Sequence, residues 1–202
     1  PAVFAATHER VARMVSDGAT GLRIDHPDGL VDPAQYLERL VALAPDAWIT
    51  VEKILEPGEH LPSDWRSAGT TGYDSLGWID RVLTDARGHY ELASLDTQLR
   101  GGTPVRWDEL IHETKRRMAD HGLAAEIHRL VRELPEDFPH GAEASYDGLA
   151  EIAANFPVYR TYLPVGLAVL ERALDHAKGG TLKASDRLML ESTVGKVVKD
   201  LD

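Results

Sequence analysis

The 202-residue chain contains no cysteine. Disulfides, Cys-ligated zinc and thiol nucleophiles are therefore excluded, and a cytoplasmic setting is expected. Positive charge is also scarce: 22 Lys and Arg stand against 33 Asp and Glu, a formal net charge of −11. Nucleic acid and anionic membrane both need a basic face, so neither is expected as a partner. A neutral, polar ligand such as a sugar is compatible with this balance. Long apolar runs are missing as well, so no segment is expected to span a bilayer. No basic region followed by an apolar core opens the chain, so no signal peptide is visible. The chain begins at Pro1 without Met, as an excised piece would. What is present, 43% apolar and 27% charged residues, fits a soluble globular protein.

The first hundred residues alternate between helix and strand signals. Residues 2–16 read as a helix carrying Val3, Phe4, Val11, Met14 and Val15, stopped by Asp17-Gly18. GLRID follows as a short strand ending at Asp25, then a turn through Pro27, Asp28 and Gly29. Asp32 is placed to N-cap a helix, with Pro33 at its first position and Gln35 three residues on. That helix presents Tyr36, Leu37, Leu40 and Val41 on one face. WITVEKIL, rich in β-branched residues and bounded by Pro57-Gly58, reads as the next strand. Strand, helix and strand within about 35 residues make a βαβ unit with parallel, neighbouring strands. GTTGYD, residues 69–74, reads as a loop before a helix holding Leu76, Trp78, Ile79 and Leu83.

From about residue 101 the character changes to helical. Thr103-Pro104 looks like a helix start, with Val105, Trp107, Leu110, Ile111 and Met118 at helical spacing toward a core. Leu123, Ile127, Leu130, Val131 and Leu134 continue the pattern to Pro135. Further helices are expected over 146–156, over 165–178 with Gly179-Gly180 closing it, and from Ser185 onward. The expected organisation is an α/β segment over 1–100 and a helical one over 101–202.

Chemistry concentrates in RIDHPDGL, residues 23–30, and in Glu52. Function in parallel βα architectures gathers at the carboxyl ends of strands. Neighbouring strands lie roughly 4.8 Å apart, so carboxylates at adjacent strand ends approach the separation of about 5–5.5 Å that a retaining glycosidase needs. Arg23 and Asp25 are two residues apart and share a strand face, so a guanidinium is placed to orient a nucleophilic carboxylate. A plain ion pair explains the same two residues. Glu52 among Val51, Ile54 and Leu55 suggests the desolvated setting that suits a general acid; a glutamate facing solvent from an edge strand is the alternative. Asp25, His26 and Asp28 could hold a metal only if the turn at Pro27 folded all three inward, and no second ligand cluster accompanies them.

GLRIDHPDGL, WITVEKIL and AGTTGYDSL, in this order and spacing, resemble the maltooligosyltrehalose synthase family, a trehalose-forming branch of the α-amylase superfamily (glycoside hydrolase family 13). NFPVYRTYL, residues 155–163, resembles part of that family's helical insertion. The resemblance covers most of the chain to about residue 178. It implies a fold that goes from α/β to all-α: the strand 4 and 5 region of a (β/α)8 TIM barrel, then an inserted, mainly helical subdomain. It also implies an isomerase of carbohydrate metabolism that turns the reducing-end α-1,4 bond of a maltooligosaccharide into an α,α-1,1 bond. Asp25 matches the nucleophile, Glu52 the acid/base and Arg23 the orienting arginine. His26 matches a sugar-contacting histidine, while Lys53 and Tyr73 lie in segments that line the acceptor side. A solvated lysine and a core ring explain those last two equally well. No cofactor or metal is implied.

Two family features are missing. The strand-3 histidine motif is absent. The third carboxylate comes from a motif of the type HDTK, and the nearest string here is HETKRR, residues 112–117, inside an amphipathic helix. It reads as a coincidence. A full barrel takes about 250 residues, so the chain looks like a central piece of a larger enzyme, with little activity alone. Two other readings stay open: another α-glucan hydrolase or transferase of the superfamily, and a non-catalytic helical interaction module. The module reading requires Asp25 and Glu52 to lie apart or on opposite faces.

Overall fold

The computed structural model describes residues 2–134, 141–163 and 165–179. Two compact units divide the chain, Pro1–Ala86 and Arg87–Asp202.

In the first unit, α1 (Ala2–Ser16) leads into β1 (Gly21–Ile24), followed by α2 (Pro33–Leu43), β2 (Trp48–Val51), β3 (Gly69–Thr70) and α3 (Tyr73–Leu83). The three strands form one parallel sheet in the order β1-β2-β3. The β1-α2-β2 unit is therefore the βαβ that the sequence suggests. The Asp32 side chain accepts the Gln35 N–H at 2.8 Å, capping α2 behind Pro33. Such a cap is worth about 1 kcal/mol. Leu37, Leu40 and Ala44 of this stretch are buried, as are Ile49, Val51 and Trp65. Each fully buried leucine contributes roughly 1.5–3 kcal/mol. The α1 helix has no buried residue. Its anchor is aromatic: Phe4 stacks on His8, both rings meet Tyr36 edge-on, and His8 Nε2 lies 2.9 Å from the Tyr36 hydroxyl. Burial raises the pKa of that Tyr36 hydroxyl above its ordinary value.

Two boundaries differ from the sequence reading. WITVEKIL is strand only as far as Val51, because the Glu52 N–H closes the ladder onto the Ile24 carbonyl at 2.7 Å and the chain then departs. Gly69 and Thr70, expected as loop, pair with Thr50 and Val51 as β3. Two residues are too few to show any periodicity. Gly72, at φ 101°, then turns the chain into α3, a conformation that favours glycine.

The second unit contains α4 (His89–Leu99), α5 (Trp107–Arg117), α6 (Ala124–Glu133), α7 (Ala142–Ala154) and α8 (Leu167–Gly179). A π-helical turn over Met118–Gly122 separates α5 from α6, where the sequence suggested one continuous pattern. The helix expected at Thr103-Pro104 begins instead at Trp107, with Asp108 and Glu109 in its first turn, where they complement the helix dipole. Trp107 and Met118, expected to face the core, are exposed. The α7 helix starts four residues ahead of Tyr146. Ala119, Ile127 and Ala150 form one buried cluster with Tyr146 and Leu149; Leu174 and Ala177 form another with Leu149, Ile152 and Leu170. NFPVYRTYL is irregular, held by the Lys115 ammonium donating to the Phe156 carbonyl at 2.8 Å. The helix expected from Ser185 lies outside the described residues. Among the described residues, no helix is long and apolar enough to cross a membrane.

Candidate active site

The register of the sheet decides how the two carboxylates meet. Ile24 pairs with Val51. Asp25 and Glu52 are therefore the next residues on adjacent parallel strands, each the first past its strand's carboxyl end. Along both strands Leu22, Ile24, Ile49 and Val51 alternate inward, so Arg23 and Thr50 take the other face. Asp25 follows Arg23: the guanidinium donates to Asp25 Oδ1 at 3.2 Å. Their side chains are 56% and 76% exposed. An exposed pair stabilises by about 0–1 kcal/mol, so stability alone gives it little purpose.

His26 completes the strand end. Its backbone is left-handed, φ 45° and ψ 54°, the only positive φ at a non-glycine residue among the described residues. Strain of this kind clusters at functional sites. The reversal aims the His26 N–H at Glu52 Oε2, 3.2 Å away. The Glu52 carboxylate thus rests against the Asp25–His26 peptide. The apolar surroundings expected for Glu52 are not what it meets: Val51 is buried on the opposite face and Ile54 is exposed. A 3-10 turn, Pro27–Gly29, follows, and a Cβ on Gly29 would come within 2.8 Å of the His26 ring. Glycine is needed there for the imidazole to lie over the turn.

Lys53 and Tyr73 reverse their alternative explanations. Lys53 is 2% exposed, not solvated. Its ammonium bridges Asp28 Oδ2 at 3.1 Å and Glu59 Oε1 at 3.2 Å. Tyr73 is exposed rather than a core ring. It borders a cavity of about 470 Å³ together with Glu56, Glu59, His60, Trp78 and Arg81. The Arg81 guanidinium sits 5.1 Å above the Trp78 ring, within cation–π range. A lining that mixes aromatic, acidic and basic side chains suits a polyhydroxylated ligand. Beside Tyr73, the Thr70 hydroxyl donates to Asp74 Oδ1 at 2.7 Å and holds that carboxyl below its ordinary value. Sequence reasoning took Asp28 for a turn residue or conceivable metal ligand and Gly29 for a turn residue only, and passed over Glu59. Asp28 and Lys53 are 25 residues apart, and only the fold brings them together.

No group of three or more His, Asp or Glu side chains among the described residues is placed to hold a metal ion. Asp28, one of the three conceivable ligands, is engaged by Lys53.

No family model matches the chain. A curated relative from Mycobacterium tuberculosis, "Putative maltooligosyl trehalose synthase", is 36% identical over 191 residues, covering 94% of this chain and 25% of the relative. The solved maltooligosyltrehalose synthase of Arthrobacter ramosus is 42% identical and superposes with a TM-score of 0.86 over 96% of the chain and 25% of that structure. The chain is homologous to part of the maltooligosyltrehalose synthases. A Sulfolobus tokodaii structure described as a hypothetical maltooligosyl trehalose synthase extends the likeness, at 28% identity and TM-score 0.68. The chain spans about a quarter of the length of the curated relatives it matches.

Proposed function

We propose that this segment supplies the nucleophile and the acid/base of a glucosylmutase that rearranges the reducing end of maltooligosaccharides. The observation that carries the reading is the register that sets Asp25 and Glu52 side by side at one strand-end face. Homology to named synthases supports it. The strands are β-strands 4 and 5 of a (β/α)8 barrel of the α-amylase superfamily, and unit two belongs to the inserted helical subdomain. The exposed Trp78, Ile79, Val82 and Leu83 of α3 fit burial by the remainder of a larger protein.

Asp25, oriented by Arg23, attacks the anomeric carbon of the last α-1,4 bond while Glu52 protonates the departing glucose oxygen. The bond to that glucose breaks as the ester to Asp25 forms. The glucose stays within the acceptor side, bordered by Tyr73, and turns. Its anomeric hydroxyl then attacks the glycosyl ester, Glu52 takes its proton, and Asp25 leaves as carboxylate. Two displacements retain the α configuration and yield an α,α-1,1 bond. His26, held over the turn by Gly29, contacts the sugar in the nucleophile's subsite. Water must be excluded, or hydrolysis competes. The third carboxylate of the superfamily lies outside this segment, so the isolated chain has little activity.

The test is Asp25→Asn and Glu52→Gln in the full-length protein that carries this segment, with maltopentaose as substrate. Loss of reducing ends without glucose release is the readout. Near-normal activity in either variant overturns the assignment. Conversion of maltopentaose to a non-reducing product by the isolated chain contradicts the claim that it is incomplete.

A further inference from the structure

Buried ammonium groups are costly unless paired, and Lys53 is paired twice. Its partners are not neighbours. Asp28 belongs to the turn that follows Asp25 and His26. Glu59 belongs to the turn after β2: its Oε1 accepts from Lys53, its Oε2 accepts the Glu56 N–H at 2.9 Å, and its own N–H donates to the Glu56 carbonyl at 2.9 Å. Lys53 itself directly follows Glu52. One ammonium therefore ties together the loop of Asp25, the strand end of Glu52 and the turn that lines the 470 Å³ cavity.

We infer that Lys53 is a positioning residue for the carboxylate pair rather than a sugar contact, acting through Asp28 and Glu59. The inference rests on the glucosylmutase reading. The left-handed His26 backbone explains why such a link is needed. A strained residue between Asp25 and Asp28 holds its conformation only if both sides are fixed. The sheet fixes one side, through β1, and the Lys53–Asp28 bridge fixes the other. Without it, the turn relaxes and the His26 N–H leaves Glu52, so the two carboxylates lose their common register.

The experiment compares Lys53→Met, Asp28→Asn and the double variant in the full-length protein, with maltopentaose. Lys53→Met is expected to lower kcat about 10- to 100-fold, as small misplacements do, with KM essentially unchanged. The double variant is expected to fall no further than the worse single one, because both act on one link. Glu59→Gln carries the same test if Lys53→Met does not fold, with a smaller fall in kcat and the same KM. A folded variant with wild-type kcat overturns the inference. So does a raised KM at unchanged kcat, the mark of a direct sugar contact, and so do Lys53 and Asp28 effects that multiply independently. Asp25→Asn and Glu52→Gln run in parallel separate the two levels. If they are inactive while Lys53→Met is normal, only the positioning role fails. If they are active, the site reading itself fails.

Discussion

Each unit sets an arginine against carboxylate, and the two arrangements have opposite characters. In the second unit, Arg116 donates to Asp120, Asp147 and Glu151, and His112 and Asn155 also engage Glu151. Burial works against its charge, yet the carboxylates of Asp147, Asp120 and Glu151 more than offset this and hold the guanidinium protonated above its ordinary range. In the first unit, Arg23 meets one carboxylate, at an exposed strand end. HETKRR resembles a catalytic string in its letters, but its histidine and arginine are consumed in tying α5 to α7. A catalytic carboxylate must keep capacity for a substrate. Asp25, 76% exposed and bonded to Arg23, keeps that capacity, whereas Glu151 is 5% exposed and already engaged by His112, Asn155 and Arg116. On the proposed reading, a structural and a reactive ion pair differ in exposure and spare valence, not in residue type.

That contrast can be broken by mutation. Asp25→Asn should reduce mutase activity on the order of 10⁴-fold while leaving the denaturant midpoint unchanged, measured by product analysis and urea unfolding. Arg116→Met should do the reverse. It leaves three carboxylates without their counter-charge and should lower stability by about 3 kcal/mol, with kcat per folded molecule retained. Gly29→Ala comes next: the new methyl displaces the His26 ring, at a cost of about 1–2 kcal/mol in stability and with a rise in KM visible in steady-state kinetics. Thr70→Val should give the smallest change. The hydrogen bond lowers the folded pKa of Asp74, so its stabilisation is present above the unfolded carboxylate pKa and lost as pH falls through the folded value. The variant should lose a little stability at neutral pH and none at strongly acid pH, which flattens the acid limb of the stability profile.

Local signals in the sequence carried the first unit well. The Asp32-Pro33 cap, the β-branched run at 48–51 and the turn at Pro27-Gly29 each act within a few residues, and each appears in the structure. Strand-end carboxylates were legible because parallel topology converts spacing into adjacency. The Lys53 bridge was not, since its partner Asp28 is distant in sequence and a lysine gives no sign of burial. The α4 helix was missed because it has no buried face and no side-chain cap to mark it. Trp107 was misplaced because apolar periodicity says which residues share a face but not whether that face is covered. Likewise, sequence neighbours suggested an apolar pocket for Glu52, yet strand alternation sends Val51 to the other side.

The most direct test of the central claim is covalent trapping on the full-length protein. A fluorinated glycosyl fluoride that forms but slowly releases a glycosyl ester marks the nucleophile of a retaining enzyme, fluoride leaving as the carboxylate bond forms. Peptide mass mapping should then place the sugar on the peptide containing Asp25, and Asp25→Asn should abolish labelling. A stable adduct on any other carboxylate, or undiminished labelling of the Asp25→Asn variant, would contradict the account.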